Sequence, residues 1–291
     1  MFMDKNAVYY NLKLSKNKDF ISVVTKNNLN IYRTEDLNNI YKSFELKVTD
    51  KINCIEFTSD NQLLFSKTHK NMEEEQIHEI ILWNFTCEKQ DFSVLKNDYF
   101  TNDICSSNNS IFFATCDNLK KKIKIWNMKY KILLKEIDYP INYDSIIKLY
   151  ITKDSNTLIC FYSNYRYSQF IDLNNNEIKE VLFSYTSTVC FSPDEKYIFQ
   201  TFDNFLYLCD MNAELISSSR FDNQIINSEY SECGNYIYIF SLQNMHVFCL
   251  KTLKIIKEFN ICCNSYYLRD FFVLKNKLYW IFREKLNITE I

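Results

Sequence analysis

The chain is a succession of short apolar runs, rich in Ile, Val, Phe, Tyr and Leu, separated by clusters of Asn, Asp, Lys and Ser. Helical periodicity is nearly absent. Runs of about four to eight residues broken by turn-forming clusters predict many short antiparallel strands. Two of them, residues 236–240 (Tyr-Ile-Tyr-Ile-Phe) and 278–282 (Leu-Tyr-Trp-Ile-Phe), are apolar at nearly every position. Such runs predict central strands covered on both faces.

The runs recur in register. An apolar or aromatic residue, then Ser or Thr, any residue, and Asp or Cys occur at Phe57–Asp60, Ile151–Asp154, Phe191–Asp194 and Tyr230–Cys233. Each is followed by a second apolar run, a polar turn and a third run. Ile125–Ile137 aligns without a gap to Val247–Phe259 at an offset of 122 residues, which is three units of about 41. Positions equivalent to Trp126 are Tyr32, Trp83, Ile171, Cys209, Phe248 and Thr289, at spacings between 38 and 51 residues. A four-stranded propeller blade needs about 40–45 residues. The predicted fold is therefore all-β: a seven-bladed β-propeller of four-stranded antiparallel blades, forming one domain over residues 1–291. The expected blades cover Ala7–Leu46, Lys51–Leu95, Phe100–Tyr139, Ile146–Phe183, Thr186–Phe221, Ile225–Ile261 and a seventh from about Tyr266.

The ends of the third runs carry a family resemblance. Trp83-Asn84 and Trp126-Asn127 approach a terminal Trp-Asp dipeptide, and Ile171-Asp172 and Cys209-Asp210 keep the acid without the Trp. In this the chain resembles a degenerate member of the WD-repeat family. The resemblance implies a ring closed by Met1–Asp4 pairing with Leu286–Ile291. It also implies partner-binding loops at the blade end that carries the turns between second and third strands. The chain has no Gly-His dipeptide, and His69, His78 and His246 do not sit where the family's blade-opening histidine would. The His/Asp/Ser/Trp hydrogen-bond network of regular members is expected to be missing.

Composition changes the picture in two places. The chain has one Gly and two Pro, so turns that need a left-handed residue are expected to use Asn or Asp, as at Asn27-Asn28, Asn174–Asn176 and Asp203-Asn204. Net charge is −2, which gives no global attraction to nucleic acid or acidic membranes. No run is long and apolar enough to cross a bilayer as a helix, and the first residues lack a signal-peptide pattern. An intracellular protein, cytoplasmic or nuclear, is expected. The eleven Cys have no C-x-x-C spacing and are expected to be reduced, mostly core, residues.

Catalysis is not expected, and neither is a metal or other cofactor. Three His, in unrelated contexts, offer no metal-hydrolase motif, and a single Gly excludes a phosphate-binding glycine loop. The candidate partner-binding residues lie between second and third strands. In blade two a long loop, Ser66–His78, carries Glu73, Glu74 and Glu75. In blade three the loop carries Lys120, Lys121 and Lys122, followed by Lys124, and in blade four it carries Tyr165, Arg166 and Tyr167. Acidic, basic and Tyr-Arg-Tyr loops side by side would make a mixed-charge docking rim with residue types favoured at hot spots. The expected function is a non-enzymatic scaffold, a monomer within a hetero-complex, binding proteins or peptides. Nucleic acid would be contacted only indirectly, and no membrane insertion is expected. The alternatives are a subunit of a ribonucleoprotein assembly and a hydrolytic propeller.

Overall fold

A computed structural model describes residues 9–89, 91–140, 145–163, 167–175, 177–183, 186–231, 233–242, 244–260, 268–274, 277–282 and 285–290. Every regular element among them is a β-strand. Seven antiparallel meanders follow one another along the chain, the blades of an all-β, seven-bladed propeller. The seventh shows three strands among the described residues. The strand proposed from Met1–Asp4 lies outside them.

The chain divides into two compact units. The first, Met1–Pro140 with Arg269–Ile291, holds blades one, two, three and seven. Blade one is β1 (Tyr9–Leu14), β2 (Phe20–Thr25), β3 (Asn28–Arg33) and β4 (Asp36–Glu45). Blade two is β5 (Lys51–Phe57), β6 (Leu63–Lys70), β7 (Gln76–Asn84) and β8 (Asp91–Asn97). Blade three is β9 (Asp103–Ser106), β10 (Phe112–Asp117), β11 (Lys122–Asn127) and β12 (Ile132–Asp138). Blade seven is β25 (Leu268–Leu274), β26 (Lys277–Phe282) and β27 (Lys285–Glu290).

The second unit, Ile141–Leu268, holds blades four to six. Blade four is β13 (Ile146–Ile151), β14 (Thr157–Tyr162), β15 (Tyr167–Asp172) and β16 (Ile178–Leu182). Blade five is β17 (Thr188–Phe191), β18 (Tyr197–Phe202), β19 (Phe205–Asp210) and β20 (Leu215–Arg220). Blade six is β21 (Ile225–Tyr230), β22 (Tyr236–Ser241), β23 (Asn244–Cys249) and β24 (Lys254–Asn260).

Central strands bury both faces, so each blade needs a neighbour. Phe44 and Leu46 of blade one pack on Phe57, Phe65, Trp83 and Phe85 of blade two. The other face of blade two, with Leu64 and Leu82, packs on Phe113 and Trp126 of blade three. In the second unit Ile159 and Phe161 meet Ile198 and Cys209, and Phe199 and Leu208 meet Ile237 and Phe248. Trp83 and Trp126 are thus packing residues between blades, as their positions predict. All seven aligned positions, from Tyr32 to Thr289, fall on the second-to-last residue of a third strand. The 122-residue alignment extends to backbone detail. The β11–β12 ladder shifts register between Ile125 and Trp126, and the β23–β24 ladder between Val247 and Phe248.

The six described turns between first and second strands share one hydrogen-bond pattern, the blade-two loop (Thr58 to Gln62) being one residue shorter than the others, such as Thr152 to Thr157. In blade two the Thr58 hydroxyl donates to Asp60 Oδ1 at 2.5 Å and accepts the Gln62 amide at 2.9 Å. The Thr58 amide donates to the Gln62 carbonyl, and the Asn61 amide to the Thr58 carbonyl. The same bonds recur around Thr152, Ser192 and Ser231, the three other sites of the sequence pattern. They recur again at Ser15 and Ser107, which the pattern missed because Asn17 and Asn109 replace the Asp or Cys. The next residue is left-handed each time: Lys18, Asn61, Ser110, Ser155, Glu195 and Gly234.

Those positions correct the expectation about turn residues. Besides Asn61 and Asp203, left-handed backbone falls on Lys18, Glu74, Ser110, Lys121, Lys131, Ser155, Glu195, Ala213 and Leu253. A left-handed non-glycine costs about 1–2 kcal/mol. In the first-strand turns the hydroxyl's bonds offset that cost, so the position there does not need Asn or Asp.

Candidate functional site

In a meander, the turns between second and third strands share one end of the sheet with the links between blades. This second-turn end carries the candidate partner-binding residues. In blade two the loop expected over Ser66–His78 is mostly strand. The β6–β7 ladder runs to Lys70↔Gln76, leaving only residues 71–75 as turn. Ser66–Lys70 contains no large apolar residue, so the strand signal was absent. The ladder is held instead by polar pairs: Thr68 Oγ1 bonds His78 Nδ1 at 2.9 Å, and the Lys67 ammonium lies 3.3 Å from Glu79 and 3.5 Å from Asp50. Burial keeps the His78 imidazole below its ordinary pKa.

Asn71 organises the acidic turn. Its Oδ1 accepts the amides of Glu73 and Glu75, both at 2.9 Å, and Glu74 takes the left-handed conformation. Glu74 sits 3.9 Å from Lys70. All three glutamates are exposed.

Asp117 does the same for the lysine turn of blade three. It is buried, and its Oδ1 accepts the amides of Leu119 at 2.7 Å and Lys120 at 3.0 Å. Lys121 is left-handed, and its carbonyl accepts the Tyr139 amide at 3.1 Å. The Lys120 ammonium lies 5.8 Å above the Tyr99 ring, and that of Lys121 lies 5.4 Å above Tyr139. Lys122 behaves differently. Its ammonium bridges Asp138 at 2.8 Å and Glu136 at 2.7 Å, and these carboxylates hold it above its ordinary pKa.

Lys124 is buried within the same blade. It donates to Asn97 Oδ1 at 2.9 Å and lies 4.7 Å above Tyr99. Beside it, Trp126 Nε1 donates to Thr115 Oγ1 at 3.1 Å. Blade three and the end of β8 in blade two thus share a buried polar set of Trp126, Thr115, Lys124 and Asn97. Of the four-lysine cluster, Lys122 is engaged inside the blade and Lys124 by Asn97 at the end of β8, while Lys120 is exposed at the tip beside the half-buried Lys121.

The acidic and lysine turns lie at the same end of two blades packed through Leu64, Leu82, Phe113 and Trp126. Tyr167 opens β15 in the second unit and is 38% exposed. Tyr165 and Arg166 lie outside the described residues.

The described thiols divide by surroundings. Cys54 is pushed up to about 12 and Cys209 to about 11, both chiefly by burial. The exposed Cys233 is lowered, first by its hydrogen bond with Ser231 in the blade-six turn. His246 is buried beside Ser241 and Phe221, and burial lowers its pKa. Compared with known proteins, the chain matches no family model and no curated protein.

Proposed function

We propose that this protein is a non-enzymatic, WD-repeat-type scaffold that binds other proteins or peptides within a multi-subunit complex. One observation carries the reading: the six described first-strand turns share one hydrogen-bonding scheme around a Ser or Thr hydroxyl, whereas the second-turn ends differ in length, charge and exposure from blade to blade. A uniform structural end and a variable, exposed end suit a rigid support presenting a recognition surface. The WD-type assignment draws on the seven aligned third-strand positions and on the Trp126–Thr115 bond of blade three.

Partners are recruited by the mixed charges of Glu73–Glu75 and Lys120–Lys121. Rim charges of this kind set association rate and selectivity more than affinity. The test is affinity purification from the cells of origin at low and high salt, with and without nuclease, read by mass spectrometry. A stoichiometric protein partner that survives nuclease is expected. A chain recovered alone at both salt concentrations overturns the reading. Nuclease-sensitive recovery replaces it with the ribonucleoprotein alternative.

A further inference from the structure

Three apolar side chains at the second-turn end have no packing role. Met72, Val48 and Leu119 are 105, 88 and 84% exposed, the highest values of any large hydrophobic residue described. Met72 is in the β6–β7 turn, Leu119 in the β10–β11 turn and Val48 in the link from β4 to β5. All three therefore project from the second-turn end of blades one to three. These blades lie in one compact unit and pack flank to flank. Scattered exposed apolar residues are ordinary; a group gathered at one end of adjacent sheets is the informative case.

The tips are held in place before anything binds. The Leu119 amide is fixed by Asp117 Oδ1. Met72 heads a turn whose next residues are pinned by Asn71. Backbone fixed in advance lowers the ordering cost of association. The charge around the tips is divided. Met72 is followed by Glu73–Glu75, and Leu119 by Lys120 and Lys121.

We propose that Val48, Met72 and Leu119 are the apolar anchors of a protein-docking surface, and that its occupant is a partner segment with an apolar strip, basic at the end over blade two and acidic at the end over blade three. The inference rests on the scaffold reading and specifies its partner. Charge selects a protein over a lipid surface. An anionic bilayer would favour lysines around every inserted tip, whereas the acidic run stands beside Met72, the most exposed of the three.

The experiment is site-specific photo-cross-linking in the cells of origin. A photoreactive residue replaces Met72, Leu119 or, at the opposite end of blade three, Tyr130, which is 66% exposed. Met72 and Leu119 are expected to cross-link one partner protein, Met72 within or beside a basic stretch and Leu119 beside an acidic one. The double variant Met72→Ser/Leu119→Ser is expected to lower recovery of that partner by about tenfold or more. Its melting curve is expected to stay unchanged, because neither side chain is buried. Cross-links into lipid, into a second copy of the chain, or into a segment without the charge division overturn the docking surface. So does full recovery of the partner with the double variant. In each of those cases a partner recovered by affinity purification leaves the scaffold reading standing.

Discussion

The two ends of the blades use the same kind of hairpin and differ in what their turns do. At the first-turn end, Ser15, Thr58, Ser107, Thr152, Ser192 and Ser231 close loops of one hydrogen-bonding scheme, differing only by one residue in length at Thr58, through a hydroxyl bonded on both sides of the turn. These loops also reach the next blade. Ser110 donates to Asp60 at 3.1 Å, Tyr150 to Glu195 at 2.7 Å, and the Lys153 ammonium to the Pro193 carbonyl. At the second-turn end the closing group changes from blade to blade: the Thr25 and Ser241 hydroxyls in blades one and six, Asn71 in blade two and Asp117 in blade three, with exposed tips beyond the last two. Repetition marks the end that holds the fold. Irregularity marks the end left free to vary.

That contrast can be broken in graded steps. The largest effect belongs to the core that both ends share. Trp83→Ala, at a site 2% exposed between blades one and two, is expected to cost about 3–5 kcal/mol in denaturant unfolding. A smaller loss would mean the flank packing is looser than the contacts around Trp83 indicate.

The next step separates the ends directly. Thr58→Ala and Ser107→Ala each remove a hydroxyl that donates and accepts within its turn and are expected to cost about 1 kcal/mol. Glu73→Ala and Lys120→Ala at the other end are expected to stay within about 0.5 kcal/mol. Equal losses at both ends in thermal melts would remove the distinction.

Backbone strain gives a finer version. Gly234 sits at φ +70°, where an added Cβ meets Pro193 Cδ at 3.4 Å, so Gly234→Ala is expected to cost about 1 kcal/mol. Ala213 is also left-handed, and its side chain packs against the core between blades four and five. Ala213→Gly is expected to move stability in the opposite direction by up to about 1 kcal/mol. Both are read from denaturant midpoints.

The ends also separate in pH. His246, at the second-turn end of blade six, has a folded pKa below its ordinary 6.5. The unfolded chain therefore takes up a proton more readily, and stability present above 6.5 falls as pH drops through that value. Asp154 and Asp194, in first-strand turns, are lowered below 3.8, chiefly by the Thr152 and Ser192 hydroxyls. Their contribution persists until pH falls below 3.8. Hydrogen exchange should show blade six and the His78 ladder of blade two loosening first and the first-strand turns afterwards, and His246→Gln should diminish the upper step in blade six alone. A single transition at acid pH would contradict the assignment.

Much of the fold was legible in the chain. The apolar runs, the Ser/Thr turn pattern and the 122-residue alignment predicted strand order and blade limits, and the alignment pairs Lys131 with Leu253, which the structure shows to be left-handed alike although neither was expected to be. The site was less legible. Ser66–Lys70 read as loop, because a strand held by cross-strand polar pairs has no apolar signature. The lysine run read as one basic cluster, because sequence does not show that Asp138 and Glu136 return to Lys122 or that Asn97 receives Lys124. The apolar tips had a faint signal in retrospect: Met72 and Leu119 each stand alone within a polar run.

What the sequence determined by itself is local and periodic. Alternation and run length select strands, and hydroxyl-bearing turns select hairpins, because both depend on neighbours a few residues away. Which lysines are neutralised, how far a hairpin extends and which apolar residues stay bare were decided by the tertiary structure. Those outcomes depend on the chain returning to itself: a carboxylate one strand over, a partner across the ladder, or the flank of the next blade, none of which is encoded in the residue's own surroundings along the sequence.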